Sequence, residues 1–318
     1  MHDTDTLIRS DLLERIRHKK ERLDAHRPLP ESAVRKLRDE LRLLHTYHSN
    51  AIEGNTLTLQ ETKLVLEEGI TIGGKSLREH LEATNLAEAY DLIEAIAKEK
   101  REIDHTTIQQ IHEVVVRGIR VEAGKYRVHN VRITGATKTP PDFSKVTRMM
   151  DDLIAFLNLN LNLNLQDKEK KEHPVKTTAF MHHKLVEIHP FTDGNGRVAR
   201  LLTNLFLVKE GYPPIVLRKE ERGKYYRFLR LADEGNLEPF ANFIAKSVDE
   251  SLTLYLAIFG GADELIALVD LGKLKECPYS QEYLALRARQ GLLDAVKIGR
   301  RWFSTKRALT DYISEHAK

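Results

Sequence analysis

Cysteine is almost absent from this chain: Cys277 is the only one in 318 residues. That excludes an intramolecular disulfide and a four-cysteine zinc site. Cys277 lies in the polar stretch Lys275-Glu276-Cys277-Pro278, and no role is assigned to it. Long apolar runs are missing too. The uncharged stretch Ser251 to Ala262 is too short to span a bilayer. The opening residues, Met1-His2-Asp3-Thr4-Asp5, lack the basic-then-apolar order of a signal peptide, so the expectation is a cytoplasmic protein with no membrane partner. A large excess of either charge is also lacking, with 50 Lys and Arg against 47 Asp and Glu. The small surplus is uneven. From Leu265 to Lys318 there are ten basic and six acidic residues, so a basic module ends a near-neutral body and points to an acidic partner.

What is present is helical pattern. The length suits two or three domains with a substantial core. Apolar residues recur at helical spacing over 7–26 and 31–48, split by Pro28 and Pro30. Two capping boxes, Thr58-x-x-Glu61 and Ser76-x-x-Glu79, open helices that end near Gly69 and Lys100. A further helix runs from about Asp104 to Gly118. Residues 119–143, rich in β-branched residues and turn formers and closed by Pro140-Pro141, read as a hairpin-like flap. Helices resume at 144–157, 175–188, 195–210, 224–234 and 238–257. Residues 157–165 alternate Leu and Asn, which by period alone is a strand; their context makes them a low-complexity insertion between helices.

Chemistry concentrates in His189-Pro190-Phe191-Thr192-Asp193-Gly194-Asn195-Gly196-Arg197-Val198-Ala199-Arg200. Its glycines sit where a helix begins, and a helix start offers unpaired N–H groups and positive dipole charge to an anion. Arg197 and Arg200 share one face and can fork onto phosphate oxygens. Asp193 is a hard oxygen ligand suited to Mg²⁺ held jointly with a phosphate. His189 is the group able to take a proton near neutral pH. The bland alternative is a Gly-Asn-Gly turn with surface arginines beside it. Histidine clusters elsewhere do not read as zinc sites: His112-Glu113 begins like a zincin helix, but Val116 stands where a second ligand belongs. His182 shares a face with His189 and reads as a hydrogen-bonded supporting residue.

The twelve-residue string resembles the signature of the Fic family, His-x-Phe-x-(Asp/Glu)-Gly-Asn-Gly-Arg-x-x-Arg, at every specified position. The resemblance covers about residues 30 to 250. It implies a mainly α, Fic-type helical bundle with a β-hairpin flap, and a protein adenylyltransferase that moves AMP from ATP to a hydroxyl of a target protein. His189 is then the catalytic base, Asp193 the Mg²⁺ ligand, and Gly194, Asn195, Gly196, Arg197 and Arg200 the phosphate-binding set. Phe191 anchors the loop. Gly124-Lys125-Tyr126-Arg127 and the residues after it resemble the flap that aligns the target by strand addition, with Arg132, Ile133 and Thr134 as docking positions. Tyr225-Tyr226 resembles part of the helix that closes the nucleotide pocket. Ser49-Asn50-Ala51-Ile52-Glu53-Gly54-Asn55, just after the helix 31–48, resembles the family's inhibitory motif; Glu53 would pair with Arg200 in the γ-phosphate position.

The C-terminal stretch from Tyr279 to His316 reads as helix, small hairpin and helix. It resembles the winged helix-turn-helix of excisionase and MerR-type proteins. Arg300 and Arg301 at a wing tip and Arg287 and Arg289 on a helix then suit nucleic acid, while the same fold also serves protein docking. The expected organisation is an N-terminal helical region over 1–100, a catalytic core over 101–258 and the winged module over 265–318. Three other functions stay open at this stage. They are transfer of another phosphate-containing group, removal of AMP by the same site, and DNA-binding regulation with a nucleotide-sensing Fic domain. A homodimer is also compatible with the sequence.

Overall fold

The computed structural model describes residues 7–99, 102–133, 138–162 and 172–316. It is mainly helical, with one small sheet. Contacts divide the chain into two compact units. The first joins residues up to Leu13 with Arg38–Val248, and the second joins Glu14–Leu37 with Asp249–Lys318. The second thus contains the whole of the expected 265–318 module, together with segments that the sequence reading assigned elsewhere. Among the described residues, no helix is long and apolar enough to cross a membrane.

The helices in chain order are α1 (Ser10–Ala25), α2 (Glu31–Ile52), α3 (Leu59–Glu68), α4 (Leu77–Lys98), α5 (His105–Val116), α6 (Val146–Asn162), α7 (Pro174–Ile188), α8 (Asn195–Lys209), α9 (Arg222–Asp233) and α10 (Glu238–Ala257). Both capping boxes form, each with its reciprocal Glu contact, and Gly69 ends α3 in the left-handed conformation. The first unit is built around α8. Every side chain from Arg197 to Leu207 is buried, as befits a helix with neighbours on all sides. α4, α5 and α7 pack on it. Phe191, Val198, Leu202 and Phe206 join Val115, Met181 and Leu185 in one continuous core.

Two sequence expectations shift here. α2 does not stop at His48. No helix breaker intervenes before Gly54, so Ser49 to Ile52 form its last turn and lead directly into Glu53. α6 continues through the described part of the Leu-Asn repeat, to Asn162. Leu157 and Leu161 lie one turn apart on the packed side. Asn158 brackets the backbone of Ile103 through Oδ1 (3.0 Å) and Nδ2 (2.8 Å), and Asn160 bonds back to the Phe156 carbonyl (2.9 Å). The repeat is therefore helical where it is described. Residues 163–165 lie outside the described residues.

The flap segment between α5 and α6 carries no strand among its described residues. Its ends are tied instead by side chains. Asn130 Nδ2 donates to Asp142 Oδ2 (2.8 Å), and Asn130 Oδ1 accepts from the Phe143 N–H (2.8 Å).

The second unit holds α11 (Leu268–Leu271), α12 (Gln281–Gln290), α13 (Lys306–His316) and strands β1 (Ile266–Ala267), β2 (Ala295–Ile298) and β3 (Arg301–Ser304). The strands form an antiparallel sheet in the order β1-β3-β2, with Val296 opposite Phe303 and Ala267 opposite the same residue on the other edge. Leu268, Leu271, Leu284, Leu293, Leu309 and Tyr312 make its core. A buried Lys19 reaches Asp249 (2.7 Å), Asp294 (2.8 Å) and Thr253 (2.7 Å), so its charge is fully compensated.

Candidate active site

The loop between α7 and α8 is held rigidly from several directions. His189 ends α7 with φ 51°, a left-handed conformation that bulky residues adopt rarely. Arg127, only 4% exposed, secures it. Its guanidinium donates to the carbonyls of His189 (2.8 Å), His129 (3.0 Å), Pro141 (2.6 Å) and Ile188 (3.4 Å), and its own N–H donates to the Pro190 carbonyl (2.9 Å). Phe191 is fully buried and stacks face to face on His112, with centroids 3.7 Å apart. His112 Nδ1 accepts from the Gly124 N–H (3.0 Å), so its Nε2–H donates to the Asp193 carbonyl (3.1 Å). Asn195 closes the loop by bonding both the N–H and the carbonyl of Phe191 at 2.9 Å. The Asn195 side chain is thereby spent on the loop. What it leaves free at the start of α8 is its backbone N–H, the group expected beside those of Gly194 and Gly196.

The two glycines have steric reasons. Gly194 caps α8 at φ 78°, and a Cβ there would meet Val116 Cγ1 at 3.0 Å. A Cβ on Gly196 would fall 2.4 Å from Glu53 Oε1. The Glu53 carboxylate therefore rests against the opening turn of α8, where an anion is favoured by the helix dipole. Glu53 Oε1 also accepts from Arg200 Nη2 at 2.7 Å. Arg200 is buried, with Nε on Ser49 Oγ (2.7 Å), Nη2 on the Ser49 carbonyl (3.0 Å) and Nη1 near Tyr225 Oη (3.4 Å). Tyr226 Oη lies 3.5 Å from the second Glu53 oxygen.

His189 carries a neutral imidazole. Burial lowers its basicity below the ordinary histidine value; the bond to the Val186 carbonyl opposes this and the Arg127 charge adds to it. Nδ1 lies 3.3 Å from that carbonyl and so carries the proton, which leaves the lone pair on Nε2. Behind it, His182 bridges Thr203 (2.9 Å) and Tyr225 (3.0 Å) in a fully buried network, the supporting position expected for it. His183 meets Asp233 at 2.9 Å, a partner distant in sequence.

Asp193 is surrounded by cations. Oδ2 accepts from Arg120 Nε (3.0 Å), Arg120 Nη2 (2.9 Å) and Arg78 Nη2 (3.1 Å). Oδ1 accepts from the Gly194 N–H (2.7 Å), with Arg197 Nη2 at 3.4 Å. Burial pushes this carboxyl up, but Arg197, Arg120 and the Gly194 N–H outweigh it and hold it below the usual range. Arg197 is buried between Asp193 and Glu82, both at 3.4 Å, and its Nε has no hydrogen-bond partner among the described residues. A buried orphan donor beside a helix start is consistent with a site built for an anion.

Among the described residues, no three His, Cys, Asp or Glu side chains are placed together to hold a metal. A lone carboxylate does fit Mg²⁺, which commonly takes one protein carboxylate and completes its shell with phosphate and water.

Other expected residues fall apart from this site. Arg132 is exposed and Ile133 half-buried, while Thr134 lies outside the described residues. Arg289, Arg300 and Arg301 are exposed in the second unit. Arg287 is half-buried, stacked over the Tyr283 ring at 4.7 Å and bonded to Gln290 (3.0 Å). No motif in the sequence marks Arg78, Glu82, Arg120 or Arg127 as site residues. Their partners lie far off in the chain, and only the Gly-Lys-Tyr-Arg string around Arg127 offered a signal.

A helix start with a carboxylate against it, a buried arginine pair and a neutral histidine sit together in a mainly helical protein. The Fic/DOC family profile matches residues 102–207. The Drosophila persimilis protein adenylyltransferase Fic is 39% identical over 226 residues, which are 71% of this chain and 43% of that protein. The C. elegans Fic-1 structure is 34% identical with a TM-score of 0.67, covering 78% of this chain and 73% of that one. A Fic-domain signaling protein from Bacteroides thetaiotaomicron superposes with a TM-score of 0.71 at 27% identity, covering 79% and 98%. The chain belongs to the Fic family. It spans less than half the length of the curated relatives it matches.

Proposed function

We propose that this protein is an autoinhibited protein adenylyltransferase, transferring AMP from ATP to a hydroxyl of a target protein and to itself. The observation that carries the reading is the Glu53 carboxylate, bonded to Arg200 and seated against Gly196. The similarity to curated adenylyltransferases supports the choice of ATP and AMP.

In the transfer, the target hydroxyl oxygen attacks the α-phosphorus and the bond to pyrophosphate breaks in line. His189 Nε2 accepts the hydroxyl proton as the new P–O bond forms. The N–H groups at the start of α8 and the Arg197 guanidinium stabilise the charge on the phosphoryl oxygens. Because the loop is fixed by Arg127, His112 and Asn195, these donors need no rearrangement as that charge develops. Asp193 would hold Mg²⁺, which supplies Lewis-acid neutralisation of the polyphosphate when bound. Glu53 inhibits by engaging Arg200, the group assigned to the γ-phosphate.

The flap segment is assigned to target docking, with Arg132, Ile133 and Thr134 as the docking positions. Residues 1–100, 101–258 and 265–318 serve as inhibitory, catalytic and winged helix-turn-helix regions, in a cytoplasmic protein. Exposed Arg289, Arg300 and Arg301 favour nucleic-acid backbone contacts by the last region. Arg287, already engaged by Tyr283, supports that region's own packing. DNA affinity independent of salt would exclude these phosphate contacts.

The decisive experiment supplies α-labelled or γ-labelled ATP. Label on protein from the α position alone establishes AMP transfer. Label from the γ position establishes phosphate transfer and overturns the reading.

A further inference from the structure

The arginines that enclose Asp193 do not come from the signature loop. Arg78 stands in the first turn of α4 and Arg120 in the turn after α5. Their guanidiniums converge on one oxygen, Oδ2, through three contacts of 2.9–3.1 Å, while Oδ1 is held by the adjoining Gly194 N–H. Both arginine side chains are about half exposed, and the Asp193 carboxylate is 23% exposed. The donors lie at the open side of the carboxylate and can swing away without disturbing the core. Arg78 also keeps a second anchor, Nε on Glu82 Oε1 at 3.1 Å.

We propose that Arg78 and Arg120 form a displaceable guanidinium clamp on Asp193, which must open before a divalent cation can take this carboxylate. The inference rests on Asp193 being the cation ligand of the proposed transferase. A guanidinium fork and a divalent cation compete for the same lone pairs and cannot share Oδ2 in this geometry. Cation affinity is therefore set partly by residues outside the signature string. This restraint is separate from Glu53, which acts on Arg200. A cation alone binds weakly, because it must displace two charged donors that gain nothing in exchange. A cation arriving with a polyphosphate offers those donors new acceptors.

The test is titration of the full chain with Mn²⁺ alone, read by the electron paramagnetic resonance signal of the unbound ion. The clamp predicts that Arg78→Ala/Arg120→Ala binds Mn²⁺ roughly tenfold more tightly than wild type, and each single variant less so. Arg117→Ala removes a nearby positive charge that pairs with Glu88 and does not touch Asp193, so it should change affinity by less than about twofold. Unchanged affinity in the double variant overturns the clamp, as does an equal gain in Arg117→Ala. Asp193→Asn separates the two levels of the inference. If it weakens Mn²⁺ binding while the arginine variants match wild type, the clamp fails and the cation assignment stands. If it leaves Mn²⁺ binding unchanged, both fall. Thermal melts accompany each titration, and Arg78→Gln/Arg120→Gln replaces the alanine pair if that pair does not fold.

Discussion

Glu53 Oε1 stands 2.7 Å from Arg200 Nη2 and occupies the space that any side chain at position 196 would need. One carboxylate therefore does two things: it neutralises a buried cation and fills the space at the start of α8. Ser49 contributes to the same cation through Oγ and its carbonyl, so the last turn of α2 is organised around Arg200.

Removing that carboxylate should release the site. Glu53→Gly is expected to raise auto-modification by about tenfold or more, since a charge-assisted hydrogen bond is worth roughly 1.5–3 kcal/mol. Arg200→Ala loses the inhibitory contact and the phosphate contact together and should show no comparable rise. Transfer of α-labelled AMP by wild type, both single variants and the double decides the point; equal rates for wild type and Glu53→Gly would reduce Glu53 to a surface charge.

His189→Ala should abolish transfer and leave ATP binding nearly intact, a loss of roughly a hundred- to ten-thousand-fold in rate. As the proposed base His189 would act as neutral imidazole, and burial lowers its proton affinity below the ordinary histidine value. The rate at saturating ATP should accordingly be flat above pH 6.5 and fall only on the acid side of it. A limb centred above pH 7 would place the proton acceptor elsewhere.

Arg127→Ala leaves main-chain carbonyls around His189 without their donor. The expected loss of stability is roughly 2–4 kcal/mol, with a drop in transfer rate beyond what the folded fraction explains. Arg127→Lys should rescue little, because one ammonium cannot serve acceptors spread across the guanidinium fork. Urea denaturation alongside single-turnover transfer separates the two effects. A lysine variant with full stability and rate would contradict this account.

Acid should weaken the fold before the carboxylates titrate. Burial lowers His45 to about 3 and His112 and His173 to about 4. In the unfolded chain such histidines take up protons near 6.5, so between those values the unfolded state binds more protons. This stability is complete above pH 6.5 and declines as the pH falls from there. Melting temperatures at pH 7.5, 6.5 and 5.5 should decrease in that order; a constant value would mean that these rings protonate without unfolding.

The signature loop was legible because its chemistry is contiguous, with base, carboxylate, glycines and arginines inside twelve residues. Glu53 was legible only once that loop was known, since a glutamate after a helix has no distinguishing pattern. The end of α2 was misplaced because helix propensity declines gently through Ser49 and Asn50, and it is Arg200 that makes one more turn favourable. The Leu-Asn repeat misled because a period of two is also compatible with a helix when alternate leucines fall one turn apart. Arg78, Arg120 and Arg127 were not legible as site residues. Their meaning depends on Asp193 and the His189 carbonyl, which only the packing of α4, α5 and α7 on α8 brings within reach.

Arg127 binds its neighbours almost wholly through peptide carbonyls, at His129, Pro141, Ile188 and His189. Such contacts are indifferent to which side chains those positions carry. Substitutions at those four positions therefore leave the contacts in place, and the loop before α8 keeps its seat. One guanidinium thus fixes the backbone course of two separate segments without dictating their side chains.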